Sequence, residues 1–262
     1  MKFKKISFIA NAPLSSNKIS IYQTLCQAQS IGKLISLNLI IPKRSDYNQK
    51  EDEVKKIKKI LNLKEEISFK INNLKYIDLF YIKIPKKIKF SISSLFFSSK
   101  ALNQAFKNNS DLIYTRDIIT LLLIYLIKKF TYIKQKVIFE SHQYSKIRST
   151  LVNCADILLV INKYQLEKYK HKNAFVLHDA VWEKEISYSP KQIVNKSIFY
   201  CGSCGPDKGI NRLITLAKLL PNYQFMVATL ENYKNNNVKK EWRMNNINWL
   251  GKLNREELFR KI

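Results

Sequence analysis

The chain has 262 residues, and 46 Lys+Arg against 20 Asp+Glu leave a formal net charge of +26. At 46% hydrophobic and 12% aromatic residues it holds ample apolar surface to offset chain entropy, which excludes a wholly disordered basic protein. With only 5 Gly and 6 Pro, collagen-like, elastic and low-complexity material is excluded too, and the length suits one large or two ordinary domains.

Short apolar runs alternate with amphipathic stretches of helical length, the pattern of a parallel α/β sheet. In chain order the strands are expected at Lys5–Ala10, Leu34–Ile41, Leu112–Thr115, Val137–Glu140, Ile157–Ile161 and Ala174–Leu177. Helices are expected at Ile19–Ile31, Asp52–Leu61, Leu95–Lys107, Asp117–Phe130, Lys146–Cys154 and Lys163–Tyr169, with Asn17 and Asp117 as capping residues. The stretch Lys64–Lys89 reads as one or two strands with a basic connection. Trp182–Lys196 is polar and without periodicity. The pattern then restarts: strand Ser197–Cys201, a glycine loop, helix Ile210–Leu220, strand Tyr223–Ala228, strand Ile247–Leu250, and a helix opened by Asn254. The expected organisation is an N-terminal Rossmann-like domain over 1–181, a linker over 182–196 and a partial second domain over 197–262.

No targeting or membrane-spanning segment is expected. The apolar run after the basic start, Ile6–Ala10, is too short for a signal peptide, and Ile118–Ile127 falls well below the roughly 20 residues that span a bilayer. The four cysteines, Cys26, Cys154, Cys201 and Cys204, are too few and scattered for a disulfide framework, so a reduced, cytoplasmic setting is the default. Cys201-Gly-Ser-Cys204 has the spacing of a redox or zinc half-site, yet it lacks the second pair or the complete redox domain either would want.

In open α/β sheets ligands bind beyond the carboxyl ends of the strands, so polar residues there are the candidates. In the first domain these are Asn11, Arg116 in Tyr114-Thr-Arg-Asp117, His142 in Glu140-Ser-His, and Asn162. A His and an Arg on neighbouring strand ends suit a hydroxylated or phosphorylated acceptor, with His142 as proton relay or hydrogen-bond partner. The competing reading pairs Arg116 with a nearby acid and leaves His142 a satisfied loop residue. In the second domain, three of the five glycines, Gly202, Gly205 and Gly209, fall in one strand–helix loop that also contains Ser203 and Lys208. Glycines there let backbone N–H groups approach an anion at a helix N-terminus, and Lys208 adds a full charge. The spacing is neither a P-loop nor a dinucleotide fingerprint, and a plain tight turn is the alternative.

The residues Ile198-Phe-Tyr-Cys-Gly-Ser, Asp207-Lys-Gly-Ile-Asn-Arg-Leu, Leu220-Pro-Asn-Tyr-Gln-Phe and Ile247-Asn-Trp-Leu-Gly-Lys-Leu-Asn-Arg-Glu-Glu-Leu resemble the opening of the donor domain in GT-B glycosyltransferases of family 4, the glycosyl transferases group 1. Upstream, Glu140-Ser-His, Ala155-Asp-Ile-Leu-Leu-Val-Ile-Asn and Leu177-His-Asp-Ala-Val resemble that family's acceptor domain. The resemblance implies two Rossmann-like domains of GT-B type, the second incomplete, and retaining hexosyl transfer from a nucleotide-sugar to a glycan, lipid or other acceptor. It implies a donor-binding set of Gly202, Ser203, Lys208, Gly209, Gly251 and Leu253, with the diphosphate against Gly202, Ser203 and Lys208, and an acceptor near Asn11, Arg116 and the active-site His142. No cofactor and no obligatory metal are implied, and no Asp-x-Asp motif occurs.

The chain departs from the family pattern in three places. No Arg stands in Gly202–Lys208, Ala228-Thr229 replaces a usual glycine, and no two glutamates lie eight apart, so the family's Glu-x7-Glu donor element is missing. A truncated enzyme, weak or inactive by itself, or half of a split pair completed by a second chain is therefore expected; the alternative is a non-catalytic remnant that binds a membrane or a partner. Of the basic residues 39 are Lys and 7 are Arg, which argues against base-reading nucleic-acid contacts. Compositional bias explains part of the surplus. The rest suits peripheral binding to an anionic membrane on its inner face.

Overall fold

The structure is a computed structural model that describes residues 3–14, 19–43, 52–75, 85–179, 196–229, 238–254 and 257–258. Asn17 and the expected linker 182–196, save Lys196, lie outside the described residues. By its internal contacts the chain divides into two units, Met1–Ala180 and Val181–Ile262.

In the first unit the order is β1 (Lys5–Ile9), α1 (Ile19–Gly32), β2 (Ser36–Lys43), α2 (Glu53–Leu61), β3 (Lys70–Lys75), α3 (Lys86–Lys107), β4 (Leu112–Thr115), α4 (Ile118–Phe130), β5 (Lys136–Ser141), α5 (Lys146–Leu151), β6 (Ile157–Val160), α6 (Lys163–Tyr169) and β7 (Ala174–Val176). The seven strands form one parallel sheet in the order β3-β2-β1-β4-β5-β6-β7. Both faces of such a sheet are covered by crossover helices, so its central strands are buried nearly throughout and largely apolar rather than alternating. Six consecutive residues of β2, Leu37 to Pro42, are buried. Pro42 lies past the last β2 residue paired with β1, where only β3 flanks the strand, so its missing N–H is tolerated. Two helices, α1 and α2, pack on each other; α3 packs on α4, and α4 on α5. With right-handed crossovers these two layers lie on opposite faces of the sheet. Phe97 and Leu121 from the second layer meet Ile113, Val137 and Phe139 of the sheet in the main core.

Two boundaries differ from expectation. Between Lys64 and Lys89 there is a single described strand, β3, and α3 begins at Lys86, nine residues before the expected Leu95. Ser91, Ser93 and Ser94 break the apolar periodicity, but Ser93, Ser94 and Ser98 are buried and let the helix pack closely. Their hydroxyls are used: Asn11 Nδ2 donates to Ser94 Oγ at 2.8 Å, and Ser98 Oγ donates to Asp117 Oδ2 at 3.1 Å. The expected helix 146–154 is α-helical only to Leu151 and ends in a 3-10 turn, Val152–Cys154.

The second unit contains β8 (Ser197–Gly202), a 3-10 turn at Pro206–Lys208, α7 (Ile210–Leu219), β9 (Gln224–Thr229), a 3-10 turn at Lys240–Trp242 and β10 (Ile247–Gly251). The three strands are parallel, with β9 central. One face of α7, Ile210, Leu213, Ile214 and Ala217, is buried with Phe225 and Val227. Trp242 and Trp249 stack with ring centroids 5.9 Å apart beside it. Asn254 and Glu257 cap each other reciprocally, the Glu257 N–H donating to Asn254 Oδ1 at 2.9 Å and the Asn254 N–H to Glu257 Oε2 at 2.8 Å.

Asp117 caps α4 as expected, accepting the Thr120 N–H at 2.7 Å, and it also anchors Ser98 of α3. Asp117→Ala is expected to cost about 1–2 kcal/mol, more than an ordinary exposed cap because α3 loses its partner as well. Urea unfolding followed by circular dichroism measures it.

Candidate functional site

The chain leaves β1 for β2 and β3 on one side and returns to pair β4 on the other, so the sheet has its switch point between β1 and β4. At such a point the loops beyond the two carboxyl ends diverge and leave a crevice. A cleft of about 220 Å³ lies there, lined by Asn11 after β1, Thr24 of α1, Arg116 and Asp117 after β4, His142 after β5 and Arg148 of α5. Three of the four first-domain candidates, Asn11, Arg116 and His142, thus share one cleft. Asn162 does not line it; its side chain caps α6 by accepting the Gln165 N–H at 2.9 Å.

Beneath Arg116 and His142 lies a carboxylate. The Glu140 side chain is 3% exposed, against 14% for Arg116 and 27% for His142, so the acid is sealed away while the two basic side chains reach the cleft. Glu140 Oε1 lies 2.5 Å from His142 Nε2 and 3.5 Å from Arg116 Nε. Its Oε2 accepts from the Tyr114 hydroxyl and, at 2.9 Å, from Gln27 Nε2. Arg116 donates further to Gln27 Oε1 at 3.4 Å and to Gln23 Oε1 at 3.3 Å. These two glutamines are one helical turn apart on α1, which turns both toward β4.

His142 Nε2 is also 2.5 Å from Arg116 Nη2. A ring nitrogen that donates to a carboxylate cannot at once accept from a guanidinium. Acceptance by the buried anion is the stronger interaction, so Nε2 is the donor to Glu140 and the lone pair falls on Nδ1, 3.4 Å from Arg116 Nη2. Burial pushes the Glu140 pKa up, but the hydrogen bond from His142, the Arg116 charge and the Tyr114 hydroxyl outweigh it and hold the carboxyl below its ordinary value. Burial, then the adjacent Glu140 charge, drives the Tyr114 pKa well above normal. The assembly is a rigid anionic seat that fixes a guanidinium and an imidazole at the cleft floor.

Arg116 pairs with an acid, Glu140, and both its side chain and that of His142 open to the cleft. Glu140, Tyr114, Gln23 and Gln27 were not singled out. The available signal was Glu140 itself, a charge inside the apolar strand Val137-Ile-Phe-Glu-Ser. No spacing in the sequence places α1 beside β4.

In the second unit, Gly202 ends β8, Thr229 ends β9 and Gly251 ends β10, all at the same edge. Gly202 and Gly251 flank the central strand there, about 10 Å apart by strand spacing, and Leu253 follows, half-buried. Gly209 adopts φ +79° as it turns the 3-10 segment into α7, a conformation that penalises any side chain. At Gly202 a Cβ would stand 3.0 Å from the Tyr200 hydroxyl. That hydroxyl is placed to donate to the Ser203 carbonyl at 2.8 Å or to that of Lys208 at 3.1 Å, and it braces the loop across its mouth. Lys208 Nζ is exposed, 3.5 Å from Asp207 Oδ2. Gly202, Ser203, Lys208 and Gly209 therefore surround one helix N-terminus, whose partial positive charge faces the strand-end edge. Cys201 and Cys204 form no disulfide, and burial raises the Cys201 thiol pKa, the opposite of a redox-active thiol.

No protein-family model matches the chain, and no curated protein sequence matches it. Solved structures do. The chain is similar to sucrose-phosphate synthase from Thermosynechococcus elongatus, with 12% identity and a TM-score of 0.67 over 98% of this chain and 72% of that one. It is similar to a glycosyltransferase from Rickettsia africae, with 12% identity and a TM-score of 0.59 over 100% and 71%. It is also similar to the lipopolysaccharide outer core galactosyltransferase WaaB, with 14% identity and a TM-score of 0.56 over 95% and 68%. A UDP-GlcNAc 2-epimerase from Neisseria meningitidis, solved with UDP-GlcNAc bound, matches at 12% identity and a TM-score of 0.52 over 98% and 74%. At such identities the likeness is one of fold. The protein has an α/β fold of GT-B type, with a seven-stranded parallel sheet and a second, smaller Rossmann-like sheet.

The Glu140 seat predicts a pH dependence. Because its pKa is depressed below the ordinary 4.5, its contribution to stability is full above that value and is lost as pH falls through the lower folded-state pKa. Glu140→Ala strands Arg116 over a desolvated floor and is expected to cost about 3 kcal/mol at neutral pH. Denaturant titrations of parent and variant from pH 7 downward should converge as the parent carboxylate protonates.

Proposed function

We propose that this protein is a glycosyltransferase of the family 4 kind, which moves a hexosyl group from a nucleotide-sugar to a glycan, lipid or other acceptor with retention at the anomeric carbon. The observation that carries the reading is the pairing of Arg116 and His142 on the buried Glu140 carboxylate at the switch-point crevice. Two fixed, partly exposed basic groups in a small cleft suit a polyhydroxylated or phosphorylated acceptor. Asn11, held by Ser94 at the same cleft, adds a neutral polar partner for a hydroxyl.

His142 offers Nδ1 as a hydrogen-bond acceptor while Glu140 holds its other nitrogen. A donor or acceptor hydroxyl bonded there is oriented, and the carboxylate stabilises the imidazolium when the ring gains a proton. On the donor side, negative charge grows on the departing diphosphate as the glycosidic bond breaks. The N–H groups at Ser203 and the start of α7, together with the Lys208 ammonium, are suited to stabilise that charge, because they are in place before it develops. With these cations supplied by the protein, no obligatory metal is part of the reading. Gly251 and Leu253 belong to the same donor edge. The solved relatives add support at the level of fold, and a UDP-sugar lies in one of them.

A thermal-shift screen of the 262-residue chain against nucleoside-diphosphate sugars, followed by product analysis with the hits, tests this. A raised midpoint with at least one donor is expected, with transfer by this chain weak or absent for want of the paired glutamates and any product of retained configuration; absence of any shift overturns the reading, and an epimerised free sugar nucleotide as sole product replaces it. Lys208→Ala should weaken nucleoside diphosphate binding about fivefold in calorimetry, modest because the side chain is solvent-screened. His142→Ala should lower transfer by about 100-fold or more with little change in donor affinity.

A further inference from the structure

The helix layer formed by α3, α4 and α5 departs from an ordinary solvated surface in both composition and exposure. The three helices together contain eight Lys, one Arg and no acidic residue. On α4, Leu122, Leu126 and Phe130 recur every four residues and are all exposed, Phe130 by 78%. Every-fourth spacing aligns them in one outward stripe running the length of the helix. The buried Leu121 and Ile124 occupy the opposite, core-facing side. The neighbouring helices extend the patch: Leu95 and Phe96 are exposed on α3, and Ile147 on α5 is 72% exposed. Lys100 and Lys107 of α3, Lys129 of α4 and Lys146 of α5 are exposed around them.

The layer across the sheet serves as an internal control. There α2 carries Glu53 beside its cap Asp52, and Ile57 and Leu61 are turned inward. Exposed apolar side chains described on that side are confined to Val54, at 37%, and Leu34, in the turn after α1. The surplus of lysine is chain-wide, but its combination with a large apolar stripe and an absence of acids belongs to one face. A coding bias toward Lys and Ile does not discriminate between two faces of one sheet.

We infer that the outer face of α3, α4 and α5 docks on an anionic lipid surface, with the α4 stripe inserted among the headgroups and the surrounding lysines on the lipid phosphates. Charge selects this occupant. A second copy of the chain would bring another lysine-ringed, acid-free face against the first, and like charges at close range oppose that pairing. An anionic bilayer supplies both an apolar phase for Leu122, Leu126 and Phe130 and negative charge for the ammonium groups, which is how interfacial amphipathic helices bind. Tyr132, 87% exposed just after α4, suits the interface with its ring inward and its hydroxyl in water.

Ser94 of α3, the Asp117 cap of α4 and Arg148 of α5 stand at the carboxyl ends of the strands, the first bonded to Asn11 and the other two lining the cleft. One end of the docking face thus adjoins the Arg116–His142 cleft, and Phe130 lies at the far end of α4. In the transferase reading this favours an acceptor carried by a lipid, though the docking itself is independent of that reading.

The test is vesicle co-sedimentation of the full chain without any sugar donor. Vesicles of equal parts phosphatidylcholine and phosphatidylglycerol should carry down the protein at low salt, and vesicles of phosphatidylcholine alone should not. Leu126→Glu with Phe130→Glu should weaken binding about tenfold or more, while Leu34→Glu on the opposite side leaves it unchanged; circular dichroism confirms that all variants fold. Failure of the parent to bind anionic vesicles overturns the inference. So does binding that survives Leu126→Glu/Phe130→Glu, which would make the attraction one of diffuse charge. A dimer in sedimentation velocity that the same pair of substitutions abolishes would assign the face to a second copy and overturn it as well. A parent chain that binds a nucleotide-sugar but not anionic vesicles would refute the docking face and leave the transferase reading standing.

Discussion

One buried carboxylate organises the first unit's cleft. Glu140 sits at the end of β5 among residues that are otherwise apolar, and taking its charge out of water costs several kcal/mol unless it is compensated. Compensation comes from four elements at once: His142 after β5, Arg116 after β4, Tyr114 within β4 and Gln27 from α1. None of these partners is optional for the others, because Arg116 and Tyr114 are themselves desolvated and depend on the same carboxylate, through Oε1 and Oε2 respectively. The strand ends and α1 are therefore locked in one arrangement, and the basic groups that face the cleft are fixed before any ligand arrives. Such preorganisation is what a site needs when it must orient a hydroxyl rather than merely attract it.

The second unit solves a different problem with different means. In the proposed reading its loop brings backbone N–H groups to an anion, and side chains are absent where that requires it: Gly209 takes a positive φ, and Gly202 leaves room for the Tyr200 hydroxyl that braces the loop. The charge at this place is exposed, unlike that at Glu140, since Lys208 stands in solvent beside Asp207. One site rests on a buried ionic network and the other on open backbone with a screened lysine. Substitutions in the first should thus be felt in stability as well as chemistry, and those in the second mainly in ligand affinity.

Much of this was legible along the chain. Alternating apolar runs and amphipathic segments located six of the seven strands in the main sheet. Asp117 and Asn254 announced helix starts by their capping chemistry, and the clustered glycines marked the loop before α7. The residue pair Arg116 and His142 was recognisable because strand ends in a parallel sheet are where polar side chains have a use. The start of α3 was not legible. Ser91, Ser93 and Ser94 look like a break when only helix propensity is weighed, yet their small buried side chains allow close packing and hydrogen bonds that no local rule reports. The role of Glu140 was hidden for a related reason: its partners lie 24 to 26 residues upstream in β4 and Arg116, and 113 residues upstream at Gln27.

The sequence by itself determined the class of fold, the order of its elements and the surplus of positive charge, because hydrophobic period, caps and glycines act over a few residues. Tertiary structure decided which strands adjoin. With β1 set between β2 and β4, the switch point, the crevice and the convergence of α1 with β4 and β5 all followed, and a diffuse lysine surplus separated into one acid-free apolar face and one ordinary one. Pairing of distant strands is set by burial over the whole sheet, and a local stretch of sequence does not contain that information.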